Sequence, residues 1–194
     1  MTDVRERIIG CVLGLALGDA LGAPFEFRRR EQIPDPLPAF ERSWSGRPPG
    51  TWTDDTAMAR NLWRALIDAG GLLDTADVLR RHVAWLRTDP PDVGSLTRTV
   101  LRAAEDDPEP GSAARRVWER RGPEVSAGNG SVMYCAPLGA VRAARSDRLY
   151  EEAPTLSAIT HWDERCRTAC LAVTLSVAAL VRGEEPPAPV EAAL

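Results

Sequence analysis

Residues 50–68 read GTWTDDTAMARNLWRALID, and the reading of this stretch decides the fold. The apolar residues of AMARNLWRALI return at helical spacing, which predicts a helix beginning near Thr53 and running to about Asp68. Gly70 and Gly71 then end it. Thr53 is a suitable N-cap, and acidic residues in a first turn are favoured by the unpaired backbone N–H groups and the helix dipole. One such acid would serve that purpose. Two adjacent like charges repel, so the pair Asp54 and Asp55 asks for a further reason.

Helical periodicity continues outward in both directions, with no convincing strand-like alternation. A first helix is expected from about Val4 to Leu21. Its glycines, Gly10, Gly14, Gly18 and Gly22, recur every fourth residue and fall on nearly one face. Each costs roughly 1 kcal/mol against Ala in a helix interior, and close packing against another backbone accounts for such a stripe. Residues 28–50 hold five prolines and predict a long loop, a kind of segment that is more often functional than idle. Beyond the central helix, further helices are expected over Asp74–Leu86 with Asp74 as N-cap, over SLTRTVLRAAE, over AARRVWERRG, from near Pro137, over LYEEAPTLSAITH with a break at Pro154, and over DERCRTACLAVTLSVAALVRG. The whole reads as an all-α, compact multi-helical domain of roughly eight helices, one unit over 1–194 with a loose Pro- and Ala-rich tail at 183–194.

Composition bounds the partners. With 44% hydrophobic and 27% charged residues, the chain has the make-up of an ordinary globule with a real core. A net charge of −4 gives no broad basic field for nucleic acid, and the Arg pairs fall on polar helix faces. Cys11, Cys135, Cys166 and Cys170 show neither a CxxC pair nor zinc-finger spacing, which suits small buried thiols in a reducing cytoplasm. RERIIGCVLGLALGDALGA imitates a signal peptide, but four glycines and Asp19 interrupt it. The expectation is a cytoplasmic protein without a membrane partner.

Chemistry-bearing residues collect at helix starts and in loops. Thr53, Asp54 and Asp55 present a hydroxyl and two carboxylates from one helix start, a donor set for a hard cation that would offset their repulsion. Glu26, in GAPFEF, and Asp92, in PPDVG, are further loop-borne carboxylates. GNGS at 128–131 offers consecutive backbone N–H groups where glycine permits a phosphate or diphosphate to approach.

The order GLALGDALGAPFEF, GTWTDDTAMA, PPDVGSLTRTVL, GNGSVMYCAPLGA, ITHWDERC, spanning about residues 8–170, resembles the ADP-ribosylglycohydrolase family, of the dinitrogenase-reductase-activating type. That resemblance implies an all-α hydrolase with two Mg²⁺ (or Mn²⁺) ions that removes ADP-ribose from modified side chains by cleavage at the ribose anomeric carbon. It implies metal ligation by Thr53, Asp54 and Asp55 and catalytic roles for Glu26 and Asp92. It also implies substrate binding by Gly128, Asn129, Gly130, Ser131, Tyr134 and His161, with Met133 close by, and an ADP-ribosylated protein or ADP-ribose as ligand.

Family chains also carry a later segment resembling Gly-Asp-Thr-Asp-Thr that supplies the remaining metal ligands. These 194 residues hold no such segment, since DTAD at 74–77 reads as a helix cap. About half of a metal site and weak affinity for the ion are therefore expected. A catalytically inactive or split homologue that binds ADP-ribose or a partner chain is the alternative. Uncovered apolar helix faces, notably on the 163–182 helix, would favour self-association or a second chain completing the fold.

Overall fold

A computed structural model describes residues 3–185. It contains eight α-helices among the described residues: α1 (Val4–Gly22), α2 (Asp54–Asp68), α3 (Thr75–Leu86), α4 (Ser95–Ala103), α5 (Ser112–Arg121), α6 (Ala136–Val141), α7 (Leu149–Ala158) and α8 (Glu164–Arg182). The described residues hold no strand, only an isolated bridge between Trp44 and Arg47. The all-α expectation therefore holds. Of the expected loose tail, residues 186–194 lie outside the described part.

The helix ends follow their local chemistry. Asp74 caps α3 by accepting from the N–H groups of Ala76 and Asp77 at 3.0 and 3.1 Å, and Asp163 caps α8 through the N–H of Arg165. The chain leaves α2 through Gly70 and Gly71, both at positive φ, where Gly71 N–H returns to the Leu66 carbonyl. One expected break is not made: α7 runs through Pro154. A proline at the sixth helical residue removes only the bond to the carbonyl of Tyr150, and Tyr150 is an exposed residue.

Met58, Leu62 and Leu66 of α2 meet Tyr134, Leu138 of α6, and Leu149, Leu156 and Ile159 of the α7 segment in the main core. A second cluster joins α3, α4 and α5 through Leu79, Val83, Val100, Leu101 and Val117. At Gly139 a Cβ would lie 2.4 Å from the Thr174 carbonyl oxygen, so glycine is what lets α6 cross α8 backbone to backbone. The buried Arg142 ties these layers: it donates to Glu152 at 2.5 and 3.0 Å and to the Gly71 carbonyl at 2.7 Å. All four cysteines are free thiols, and three of them are buried.

Packing departs from expectation at two helices. The 163–182 helix is not the bare one, because α8 packs against α1, α6 and α7 and buries Cys166, Cys170, Thr174, Ala178 and Val181. Only Ala20 of α1 is buried, and the glycine stripe meets nothing: no atom lies within 4 Å of a Cβ built at Gly10, Gly14, Gly18 or Gly22. The close packing expected of that stripe is not made among the described residues.

Candidate functional site

The start of α2 is held from outside. Thr53 occupies the N-cap position, but its side chain makes no capping bond. The capping carboxylate comes from α1: Asp19 accepts the N–H of Thr53 at 2.9 Å and of Thr56 at 3.1 Å, and both hydroxyls, at 2.7 Å from Thr53 and 2.5 Å from Thr56. A negative group at a helix N-terminus complements the dipole, and here it also fixes the hydroxyl protons. The Thr53 O–H points to Asp19, so the lone pairs of Oγ1 remain for another partner. Asp19 is the residue that sequence reading missed. Its signal was present: one carboxylate inside the apolar run GLALGDALG must find donors when that run packs.

Two further segments bring carboxylates to the same place. A short 3₁₀ turn over Ala23–Phe25 carries Glu26 round the end of α1. The loop before α4 carries Asp92, and Gly94 at its end donates its N–H to Oδ2 of Asp54 at 3.2 Å. Burial, then the charges of Asp92, Asp54 and Asp19, raises the Glu26 carboxyl above its ordinary range. Asp54 is pushed up to about 6 by burial and then by Asp92, against the pull of the Gly94 N–H. Asp55 is pushed up to about 7 by burial, then by Asp54, Asp19, Glu26 and Asp92. Asp92 is raised by burial and by Asp19, with Arg98 opposing. Asp54 is buried and Asp55 half-buried, so both carboxylates lie in partly desolvated surroundings. Asp19, Glu26, Thr53 and Asp55 line a cleft of about 560 Å³, with Met133 opposite and Ile33 and Leu37 of the long loop at its edge.

The 128–131 turn sits on the other side of the first turn of α4. A Cβ at Gly130 would lie 2.9 Å from Oγ1 of Thr97 and 2.7 Å from Cε1 of His161, so the turn rests directly on both side chains. Gly128 and Asn129 are exposed, whereas Ser131 is buried and its hydroxyl accepts from Ser157 at 2.9 Å. What Ser131 can offer a ligand is backbone.

Two expected substrate-binding side chains lie elsewhere. Tyr134 is fully enclosed, bonded through its hydroxyl to Thr160 at 2.9 Å and packed edge-on against His82 with ring centroids 4.9 Å apart. His161 is 1% exposed, with Nδ1 3.0 Å from the Thr160 hydroxyl, and burial lowers it to about 4. His161 supports the turn from beneath and Tyr134 belongs to the core; neither is among the residues that line the cleft. The reason is tertiary: the Thr160 hydroxyl that links them comes from the segment after α7, out of reach of local pattern.

The donor set suits a hard divalent cation by type, with a threonine oxygen whose proton is committed and carboxylates that burial and mutual repulsion make costly to ionise. Among the described residues, however, no three acidic, histidine or cysteine side chains are gathered closely enough to hold one ion. The residues fit such a group as part of a shell and do not close it.

A family model described as ADP-ribosylglycohydrolase matches residues 1–194. The chain is 32% identical over 185 residues to the ADP-ribosyl-[dinitrogen reductase] glycohydrolase of Rhodospirillum rubrum, covering 93% of this chain and 60% of that protein. It is 29% identical to the ADP-ribosylarginine hydrolase Tri1 of Pseudomonas putida (strain GB-1), over 85% of this chain and 44% of the other. A solved ADP-ribosylglycohydrolase-related protein complex superposes with a TM-score of 0.77 at 29% identity, covering 97% of this chain and 61% of that one. The chain thus spans about half to three fifths of the length of these relatives. With a helical fold, an acid-lined cleft at the start of α2 and a family match along its whole length, the chain belongs to the ADP-ribosylglycohydrolase family.

Proposed function

We propose that this chain takes part in metal-dependent hydrolysis of ADP-ribose from modified groups, with cleavage at the ribose anomeric carbon. The observation that carries the reading is the gathering of carboxylates from four segments: Asp19, Glu26 and Asp55 line one cleft, and the charges of Asp54 and Asp92 reach it, raising both Glu26 and Asp55. Such a concentration of negative charge suits the stabilisation of a cationic sugar centre.

In this reading the N–H groups of the 128–131 turn bind the diphosphate, and the apolar wall from Met133 to Leu37 takes the adjoining part of the ligand. Departure of the leaving group gives the ribose oxocarbenium character, which the surrounding carboxylates stabilise. Glu26 or Asp92, both raised by their surroundings, holds the proton required at the leaving atom or at the attacking water. Thr53, Asp54 and Asp55 would hold Mg²⁺ (or Mn²⁺), which supplies neutralisation of the cluster and a more acidic water when bound. His161 acts as a support of the turn, and Tyr134 as part of the core behind it.

The test is release of ADP-ribose from an ADP-ribosylated peptide, with and without Mg²⁺, alongside calorimetric binding of ADP-ribose. Weak, Mg²⁺-dependent turnover lost in Asp54→Ala is the expected result. Release that ignores both Mg²⁺ and Asp54→Ala overturns the reading. The open shell and the three-fifths coverage favour, as a second reading, a split or inactive homologue that binds ADP-ribose or a partner chain; binding of ADP-ribose without any release would select it.

A further inference from the structure

Among the described helices, α1 lies against the body with a large apolar surface left bare. Ile9, Leu13 and Leu17 recur every fourth residue as one outward stripe and expose 47, 54 and 53% of their surfaces. No charged residue interrupts positions 8–18. Two apolar grooves flank this ridge. One, of about 550 Å³, runs between α1 and α2, with Ala16, Ala59 and Trp63 in its lining. The other, of about 560 Å³, runs between α1 and α8, with Cys11, Val173 and Val177 in its lining. Trp52 and Ile67, both exposed, complete the lining of the first groove. Scattered apolar residues on a surface are ordinary, but a continuous ridge with a groove on each side marks an interface.

We infer that this face of α1 seats a helical polypeptide equivalent to the two fifths of the relatives' fold that this chain does not span. The relatives fix the occupant: the superposed structure uses 97% of this chain yet leaves 39% of its own length unmatched, since only 61% is covered. That surplus must bury its apolar surface somewhere, and the open stripe of Gly10 and Gly14 beside Leu13 lets a second helix come close.

A membrane is the less suitable cover. Val4–Phe25 has the length and hydropathy to cross a bilayer, but Asp19 near its end is tied to Thr53 and Thr56 by four hydrogen bonds. Withdrawal into lipid would break all of them and carry a carboxylate along. A seated helix would also run past Gly18 and Gly22, which line the acidic cleft, and so form its open wall. The inference holds whether or not the cleft is catalytic.

The test co-expresses the tagged 194-residue chain with the portion of the Rhodospirillum rubrum glycohydrolase that it does not match. A 1:1 complex is expected, with hydrogen exchange of residues 9–17 slowed at least tenfold relative to the chain alone. Leu13→Glu with Leu17→Glu should weaken the complex at least 100-fold. Two soluble polypeptides that fail to associate, or a complex indifferent to these substitutions, would overturn it. So would a dimer of the chain alone, or binding to phosphatidylcholine–phosphatidylglycerol vesicles, if the same substitutions abolish either. Should the added portion be insoluble by itself, its fusion to this chain gives the second measurement: unchanged exchange at 9–17 in the soluble fusion equally refutes the seat.

Discussion

Replacing Asp19 with alanine removes the only side-chain cap that α2 possesses in the described structure. The loss can be worked from its four hydrogen bonds. The two backbone bonds are those of an N-cap, about 1–2 kcal/mol together. The two hydroxyl bonds add about 0.5–1.5 kcal/mol each. Thr53 and Thr56 are 7 and 8% exposed, so their freed donors have little access to water. Against this, Asp19 adds to the repulsion felt by Glu26, Asp54, Asp55 and Asp92, and its removal relieves that term. A net loss of about 2–3 kcal/mol remains, or about 5–10 °C in Tm at this chain length. Asp19→Asn isolates the hydrogen bonds, because it removes the same charge yet keeps one acceptor oxygen. It should melt between the parent and Asp19→Ala in differential scanning calorimetry without added metal. If both variants melt with the parent, α2 is not capped from α1, and the account of how Thr53 is oriented fails with it.

Other perturbations read other parts of the molecule. Glu152→Ala strands the buried Arg142 guanidinium and should cost about 3 kcal/mol in urea unfolding, whereas Arg142→Met combined with Glu152→Leu should recover most of it. Asp55→Asn removes a carboxyl whose folded value, about 7, lies above its unfolded one. The parent's stability from this group is present below about pH 4 and lost as pH rises through 7. The variant should therefore be more stable than the parent by about 1–2 kcal/mol at pH 8, after allowance for the partly open site, with the gap closing by pH 4. His82 and His161, lowered by burial to about 3 and about 4, act with the opposite sign. Their contribution is complete above about pH 6.5 and fades as pH falls, so His82→Gln should flatten the acid limb of a pH–Tm curve. Gly130→Ala would drive a Cβ into His161 and Thr97 and should cost about 1–3 kcal/mol, with ADP-ribose affinity falling in calorimetry and recovering in part in Gly130→Ala with His161→Ala. Millimolar Mg²⁺ should raise the Tm of the parent, as any ligand of the folded state does, and leave Asp54→Ala unmoved.

Local chemistry was readable from sequence wherever cause and effect lie within a turn of each other. Asp74, Asp163, Gly70 and Gly71 mark their helix ends as their residue types require, and of the carboxylates that the motifs single out, Glu26 and Asp55 line the cleft, with the charges of Asp54 and Asp92 felt there. Contacts between distant segments were not readable. Asp19 caps a helix 34 residues away, and no local pattern pairs the two. Tyr134 belongs to the core because Thr160 and His82 meet it there, and a motif that names it cannot say which way it turns. Pro154 failed as a breaker because the surrounding helix could spare one bond at an exposed carbonyl. The glycine stripe of α1 was legible as a demand for close approach, yet what approaches was not.

The bond from the Gly94 amide to Asp54 has a bearing on ion choice. One oxygen of that carboxylate already accepts a hydrogen bond, so a cation held there as proposed would draw mainly on the other oxygen. Calcium, which gathers six to eight oxygens and often grips carboxylates through both, is poorly served by such a group. On the proposed metal-dependent reading, smaller octahedral ions, content with single oxygens and their own waters, would lose nothing by it, and discrimination between the two would rest on an amide hydrogen at the start of a neighbouring helix.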